Sequence, residues 1–374
     1  MTRLHLSIQP SVSTRTKRQL CLFLSLLSVL LLIGCGGQSV LPPKPTPTLV
    51  PQPTITTLFT SADSLERITK GPDGALWFTE SHSHKIGRIT LSGKVTEFAV
   101  PDDDPDSGPN DITTGPDGAL WFTTDGLNKH ADSVIRRITP SGKITEFVLP
   151  RPDFASGTIT TGPDGALWFT EPENRKIGRI TPSGHMTWFV LPDRPNDITT
   201  GPDGALWFTE TSYYSPGPLV KIGRITLSGK ITEFALRDDG SSWPPQRPTS
   251  ITTGPDGALW FIGLADDKIG HITPEGNITR FAVPPPPRGY ASNPLNEITM
   301  GPDGALWFAE LAGKIGRITL SGKITKFAVP DDRHGEFPPS TIAITTGPDG
   351  ALWFMTGTLS GPSSIKSLKP PASG

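Results

Sequence analysis

Apolar residues along this chain alternate with polar ones over short stretches, glycine and proline interrupt them, and the whole pattern returns about every 45 residues. The octet Gly-Pro-Asp-Gly-Ala-Leu-Trp-Phe occurs seven times unchanged, with its tryptophans at Trp77, Trp121, Trp168, Trp207, Trp260, Trp307 and Trp353. Each repeat reads as four short strands. The first is Ile-Thr-Thr, the second follows a Pro-Asp-Gly turn as Ala-Leu-Trp-Phe-Thr-Glu, the third is Lys-Ile-Gly-Arg-Ile-Thr, and the fourth follows a Ser-Gly turn as Lys-Ile-Thr-Glu-Phe. Proline presets φ in these turns, and glycine takes the positive φ that a tight hairpin needs. Four antiparallel strands repeated seven times predict an all-β fold, a seven-bladed β-propeller.

The ends of the pattern predict how the ring closes. After Trp353 the last repeat supplies a third strand, Ile365 to Leu368, and no fourth. A fourth-strand pattern without a blade stands at the beginning instead, from Ile55 to Phe59. The N-terminal strand is therefore expected to complete the last blade and leave no sheet edge short.

Loop lengths separate two faces. From the first-strand Ile to the Trp the interval is nine residues in every repeat, and from the third-strand Ile to the fourth-strand Phe it is twelve wherever both exist. The interval from Trp to third strand runs from eight to fifteen, and that from Phe to the next blade from nine to seventeen. Propeller geometry gathers both variable sets on one face, where binding surfaces are normally built. Tyr213, Tyr214, Trp243, Arg247, Arg288 and Tyr290 all fall in these variable loops, and aromatics beside Pro and Arg suit recognition of a small molecule, peptide or cell-wall ligand. Packing of each loop on its own aromatics is the alternative reading.

Composition agrees with a turn-rich β protein. The 374 residues include 40 Gly and 41 Pro, but also 9 Trp and 17 Phe, the apolar mass that disordered Pro/Gly-rich chains lack. A formal net charge of -2 argues against nucleic acid as a partner.

Arg15, Lys17 and Arg18 precede an apolar run from Leu20 to Ile33, too short for a confident membrane span but suited to a secretory signal. The run ends in Leu32-Ile33-Gly34-Cys35, a tetrad that resembles a bacterial lipobox and implies cleavage before Cys35 and lipidation of its thiol. Residues 1–34 then form a lipoprotein-type signal peptide, residues 35–54 a Pro-rich stalk, and residues 55–370 the propeller. Cleavage removes Arg3, Arg15, Lys17 and Arg18 and no acid, which leaves 30 basic and 36 acidic residues, net -6. Cys21 leaves with the signal and Cys35 is acylated, so no thiol pair remains for a disulfide. An exported, membrane-anchored monomer is the expectation.

Candidate chemistry is sparse. No nucleophile motif or phosphate loop is present, and His82 and His84 lack a third ligand at fixed spacing. Two positions per blade are expected near the axis at the variable face. The residue two before the first-strand Ile includes Glu66, Asn110, Asn196 and Asn296, oxygen donors of the kind Ca²⁺ or Mg²⁺ accepts, although Pro-Asn-Asp segments also cap their own turns. The residue three after the Trp is Glu80, Glu171, Glu210 and Glu310 in blades one, three, four and six, the blades that also carry Lys85, Lys176, Lys221 and Lys314, so cross-strand ion pairs are expected. Glu66 with Glu80, and Glu297 with Glu310, are the carboxylate pairs best suited to a metal.

The run from Ile-Thr-Thr-Gly-Pro-Asp-Gly-Ala-Leu-Trp-Phe-Thr-Glu to Lys-Ile-Gly-Arg-Ile-Thr and Ser-Gly-Lys-Ile-Thr-Glu-Phe resembles the streptogramin lyase family, also called virginiamycin B lyase, over residues 55 to about 369. The resemblance implies a seven-bladed propeller that opens a cyclic depsipeptide antibiotic by elimination across its ester bond, with Mg²⁺. Such a reaction needs a base for a weakly acidic Cα proton and a cation on the adjoining carbonyl. Carried over by position, the family's base falls on Ile342, its second substrate-binding His on Asn296, its two metal carboxylates on Ser340 and Thr356, and a first-blade Tyr on Glu66. The resemblance thus implies the fold with its catalytic positions substituted, and a binding module as the leading class. A C–O lyase with a displaced base and a calcium-dependent, lactonase-like hydrolase using Glu66, Asn110, Asn196 and Asn296 are the alternatives.

Overall fold

Leu, Trp and Phe stand side by side in each octet because the second strand of each blade is covered on both faces. In the computed structural model, which describes residues 53–101, 108–124, 134–150, 157–211, 220–236, 248–263, 268–285, 295–330, 340–358 and 361–370, every residue of Leu76–Glu80 is buried, and the same holds for the equivalent strand of blades two to six. The described strands form seven four-stranded antiparallel sheets. The first strand after the N-terminal one opens blade one, so β1 (Ile55–Ser61) is followed by β2 (Leu65–Lys70), β3 (Leu76–Glu80), β4 (Lys85–Ile89) and β5 (Val95–Ala99). First strands pack side by side around an axis, and β2 also meets the first strand of blade seven, Ser340–Thr346, so the seven-bladed ring is closed.

Each junction between blades is a separate apolar core. Trp77 of blade one packs with Ile112, Leu120 and Phe122 of blade two, and the arrangement recurs around the ring. The fourth-strand Phe stacks on the Trp of its own blade, as in Trp77 on Phe98 with centroids 5.5 Å apart and rings 9° from parallel. Such contacts explain a glycine inside a strand: a Cβ on Gly87 would lie 2.1 Å from Cζ of Phe78, whose ring crosses the backbone of β4. The turn aspartate is equally committed. Asp73 accepts the Trp77 indole N–H at 3.0 Å and pairs with Arg88 at 2.6 Å, and these donors, working against burial, hold its carboxyl below the usual range. Blade five keeps the clip with His271 in place of the arginine.

Hydroxyls link blade to blade along the first strands. Thr161 Oγ1 donates to the carbonyl of Thr114, Thr200 to Thr161, and Thr253 to Thr200, at 2.6–2.7 Å. Nearer the variable face, Thr79 Oγ1 accepts the Arg67 N–H and donates to the Asn110 carbonyl.

Closure follows the expected route. β1 pairs with Gly361–Leu368, from Ile55 opposite Leu368 to Ser61 opposite Ser363, and so becomes the fourth strand of blade seven. Leu58 and Phe59 pack against the core between blades seven and one, and Ile55 against that between six and seven.

Candidate functional site

A break in the ladder at the entry of the first strand decides what faces the axis. Pairing skips from Leu65 to Ile68 in blade one, and the same irregularity precedes Ile112, Ile198, Ile298 and Ile344. A bulge of this kind re-aims side chains. The residue immediately before the Ile turns into the channel, which encloses a cavity of about 180 Å³ lined by Arg67, Asp111, Asp197, Ser250 and Glu297 together with first-strand Ile and Thr residues.

Three acids and one guanidinium thus converge. Arg67 Nε lies 3.8 Å from Asp111 Oδ1, and its Nη1 lies 3.9 Å from Glu297 Oε2. Each acid also receives an amide of the next blade: Asp111 accepts from Ile159 N at 2.7 Å, Asp197 from Ile251 N at 2.8 Å, and Glu297 from Ile344 N at 2.7 Å. Ser250 Oγ does the same for Ile298 N at 3.3 Å. Burial pushes Glu297 up to about 7 and Asp197 up to about 6, against the opposing pull of Arg67 and of those amides. Asp111 is also raised by burial, with Arg67 opposing. Burial works against the Arg67 charge, but the surrounding carboxylates, Glu297 foremost, hold it more firmly protonated than usual.

The residues two before the Ile, expected at the axis, are not among those lining this cavity and bond to their surroundings instead. Glu66 Oε1 accepts from the hydroxyls of Ser64 and Ser81, each at 3.1 Å. Asn196 Nδ2 donates to Thr211 Oγ1 at 3.0 Å, Asn296 Nδ2 donates to the Ile342 carbonyl, and the Asn110 carbonyl accepts from Thr79. Among the described residues no group of three or more His, Cys, Asp or Glu side chains is placed to hold a metal. Tyr213, Tyr214, Trp243, Arg247, Arg288 and Tyr290 lie outside the described residues, as does Cys35.

The family model described as the virginiamycin B lyase family matches residues 49–244 and 240–361. The chain belongs to the virginiamycin B lyase family. A streptogramin B lyase structure shares 33% identity with it at a TM-score of 0.70, over 84% of this chain and 98% of that one. The virginiamycin B lyase of Staphylococcus aureus shares 35% identity at a TM-score of 0.69, over 86% and 99%. A catalytically inactive variant of the S. aureus enzyme, solved with quinupristin, shares 34% identity at 0.69, over 85% and 99%. A comparison with curated protein sequences gives no match.

In this member of the virginiamycin B lyase family, Ile342, the position the resemblance assigns to the base, packs against the apolar core between blades seven and one. Thr356 is buried, and its neighbour across the ladder, Thr341, has a buried hydroxyl without a partner. Hydroxyls at Ser340 and Thr356, with a Glu66 already accepting two serines, are poor donors for Mg²⁺, which prefers carboxylates. The residues at these positions do not fit that ion.

The glutamates three after the Trp form a second set. Register sets Glu80 opposite Lys85, Glu210 opposite Lys221, and Glu310 opposite Lys314, but the expected ion pairs do not form in blades one and four. Lys85 turns to Glu97 at 2.6 Å, and Lys221 bridges Asp193 and Glu233, each at 2.8 Å. The lysine amine leaves the sheet interior for the fourth strand, where it keeps more water. Glu80 is raised by burial, with Ser83 opposing and Glu97 adding to the rise, and Glu210 climbs to about 8 by burial and the proximity of Glu233. Fourth strands also face two of the other buried acids: Trp188 donates to Glu171 at 2.9 Å, and Lys326 Nζ makes an ion contact with Glu310 at 2.9 Å that leaves both carboxylate oxygens without a hydrogen bond.

Proposed function

We propose that this protein is an exported, lipid-anchored member of the virginiamycin B lyase family that binds a small molecule, peptide or cell-wall component on its variable face without opening depsipeptide rings. The observation that supports this most is the environment of Ile342. A partly buried aliphatic side chain packed against an apolar core stands at the position the resemblance assigns to the proton acceptor, and none of the cavity-lining residues is a histidine. A general base contributes about 10²- to 10⁴-fold to such a reaction, so its loss alone reduces turnover to a trace. The S. aureus relative supports the separation of binding from turnover, since its variant described as catalytically inactive was solved with quinupristin.

The test is incubation of the purified protein with quinupristin and Mg²⁺, with ring-opened product followed by mass spectrometry and binding by calorimetry. Absent turnover is the expected result, with or without measurable binding. Conversion proportional to enzyme would overturn the reading and place the base in a variable loop.

A further inference from the structure

The face opposite the variable loops carries a pattern that ligand binding does not use. Four of the six large apolar side chains exposed among the described residues lie there, namely Leu91, Leu227, Leu320 and Met300. The three leucines occupy the same place in the Leu-Ser-Gly-Lys hairpin turns of blades one, four and six, each 43% exposed, and exposed Lys94, Lys230 and Lys323 follow three residues on. Spread around the ring, these turns form a tripod of leucine tips with adjacent ammonium groups. Lys70 and Met300, also exposed, stand nearer the axis at the same end of the first strands.

Negative charge on this face is largely turned inward. All seven turn aspartates accept a Trp indole N–H, and in blades one, two, three, four and six they also pair with an arginine. Glu275 is an exposed acid in the corresponding turn of blade five, outside the tripod.

The chain itself reaches this face. Ile55 pairs with Leu368, which pairs with Leu352 just after the last Gly-Pro-Asp-Gly turn, so β1 enters the propeller at the fixed-turn end. The 19 residues from Gly36 to Thr54, with their six prolines, span at most about 60 Å at roughly 3.1 Å per residue in an extended proline-rich form. Chain leading to an anchor at Cys35 therefore leaves the propeller on the fixed-turn side.

We infer that the fixed-turn face docks on an anionic lipid surface, with Leu91, Leu227 and Leu320 entering the headgroup layer and Lys94, Lys230 and Lys323 meeting lipid phosphates. The chemistry is that of interfacial membrane binding, in which apolar tips and basic residues act together. This inference rests on the lipid-anchored reading, and the variable face is then held open to whatever arrives from outside the membrane.

The test uses protein purified from membranes of a bacterium expressing the full chain. It is reconstituted into vesicles of phosphatidylglycerol and phosphatidylethanolamine, or of phosphatidylcholine alone. A fluorophore is attached at Ser228→Cys, on a turn tip, or at His82→Cys, on the variable face, and quenching by nitroxide-labelled lipid is measured. Docking predicts several-fold stronger quenching at position 228 than at 82 in anionic vesicles. That difference should collapse in phosphatidylcholine, in high salt, and in the triple variant Lys94→Glu/Lys230→Glu/Lys323→Glu, whose exposed positions leave the core untouched. Equal quenching at both positions in anionic vesicles overturns the inference. The anchor is scored separately by mass spectrometry of the purified protein: an N-terminal peptide that begins at an unmodified Cys35, or that still carries residues 1–34, refutes lipidation at Cys35 and leaves the comparison of labels intact.

Discussion

Replacing Arg67 by methionine withdraws the positive charge from a channel that also holds Asp111, Asp197 and Glu297. Two ion contacts at 3.8 and 3.9 Å are lost, each with a gross attraction of about 4 kcal/mol at an effective dielectric constant of ~20. The Arg67 side chain is 27% exposed, and the acids keep their amide donors, so screening reduces the net cost to about 2–3 kcal/mol at pH ~8. The sign of the pH dependence follows from the raised carboxyls. Glu297 near 7 and Asp197 near 6 hold protons more tightly in the folded than in the unfolded chain, so their contribution is full below the ordinary carboxylate range and lost as pH rises through those values. Without Arg67 both climb further, and added protons relieve the repulsion at a higher pH. The deficit of Arg67→Met relative to wild type should therefore be largest near pH 8 and shrink toward pH 5, as read from urea unfolding across that range. A deficit identical at both ends, or below about 0.5 kcal/mol at pH 8, would refute the electrostatic account of the ring.

Other perturbations probe other layers. Gly178→Ala places a Cβ 2.1 Å from Cζ of Phe169 and should cost about 2–4 kcal/mol; wild-type urea stability would remove the packing argument for that glycine. Deletion of Ile55–Phe59 strips a strand from blade seven together with three apolar residues packed on its cores, Ile55, Leu58 and Phe59, so stability should fall by several kcal/mol, and an unchanged melting temperature would contradict closure by β1. Glu210, raised to about 8, takes its proton from neutral solution on folding, so wild-type stability declines as pH rises toward 8. Glu210→Gln should flatten that decline in a thermal-unfolding series between pH ~6 and ~9, and an equal slope in both proteins would exclude Glu210 as its source.

The blade count, the closing strand and the two faces were legible because each is written in spacing: an unvarying octet, a missing fourth strand, and intervals that vary at one end only. The axial ring was not. Simple alternation points the residues two before the Ile at the channel, and the bulge between Leu65 and Ile68 and its counterparts shift that role to Arg67, Asp111, Asp197 and Glu297. A signal existed, since four of seven blades carry a charge just before Ile-Thr, where an inward position of an ordinary strand is seldom charged. The Glu and Lys pairing failed in blades one and four for a different reason. Register was right, but pairing in register does not settle which neighbour a long flexible amine reaches, and Glu97 and Glu233 on the fourth strand compete successfully.

Closure by β1 also sets the order of events as the protein is made. Thr60 bonds to Ser364 across 304 positions of chain, so the first strand synthesised waits for the last hairpin before it has a partner. The cost of closing so long a loop grows only slowly with length, by about 0.6 kcal/mol per doubling, but the encounter is late and non-local. Six blades can assemble from neighbours within roughly fifty residues of one another, while the seventh depends on the two ends meeting. Completion of the circle is thus the most non-local pairing in the fold, and a chain truncated before the Gly361–Leu368 strand leaves β1 without a place to go.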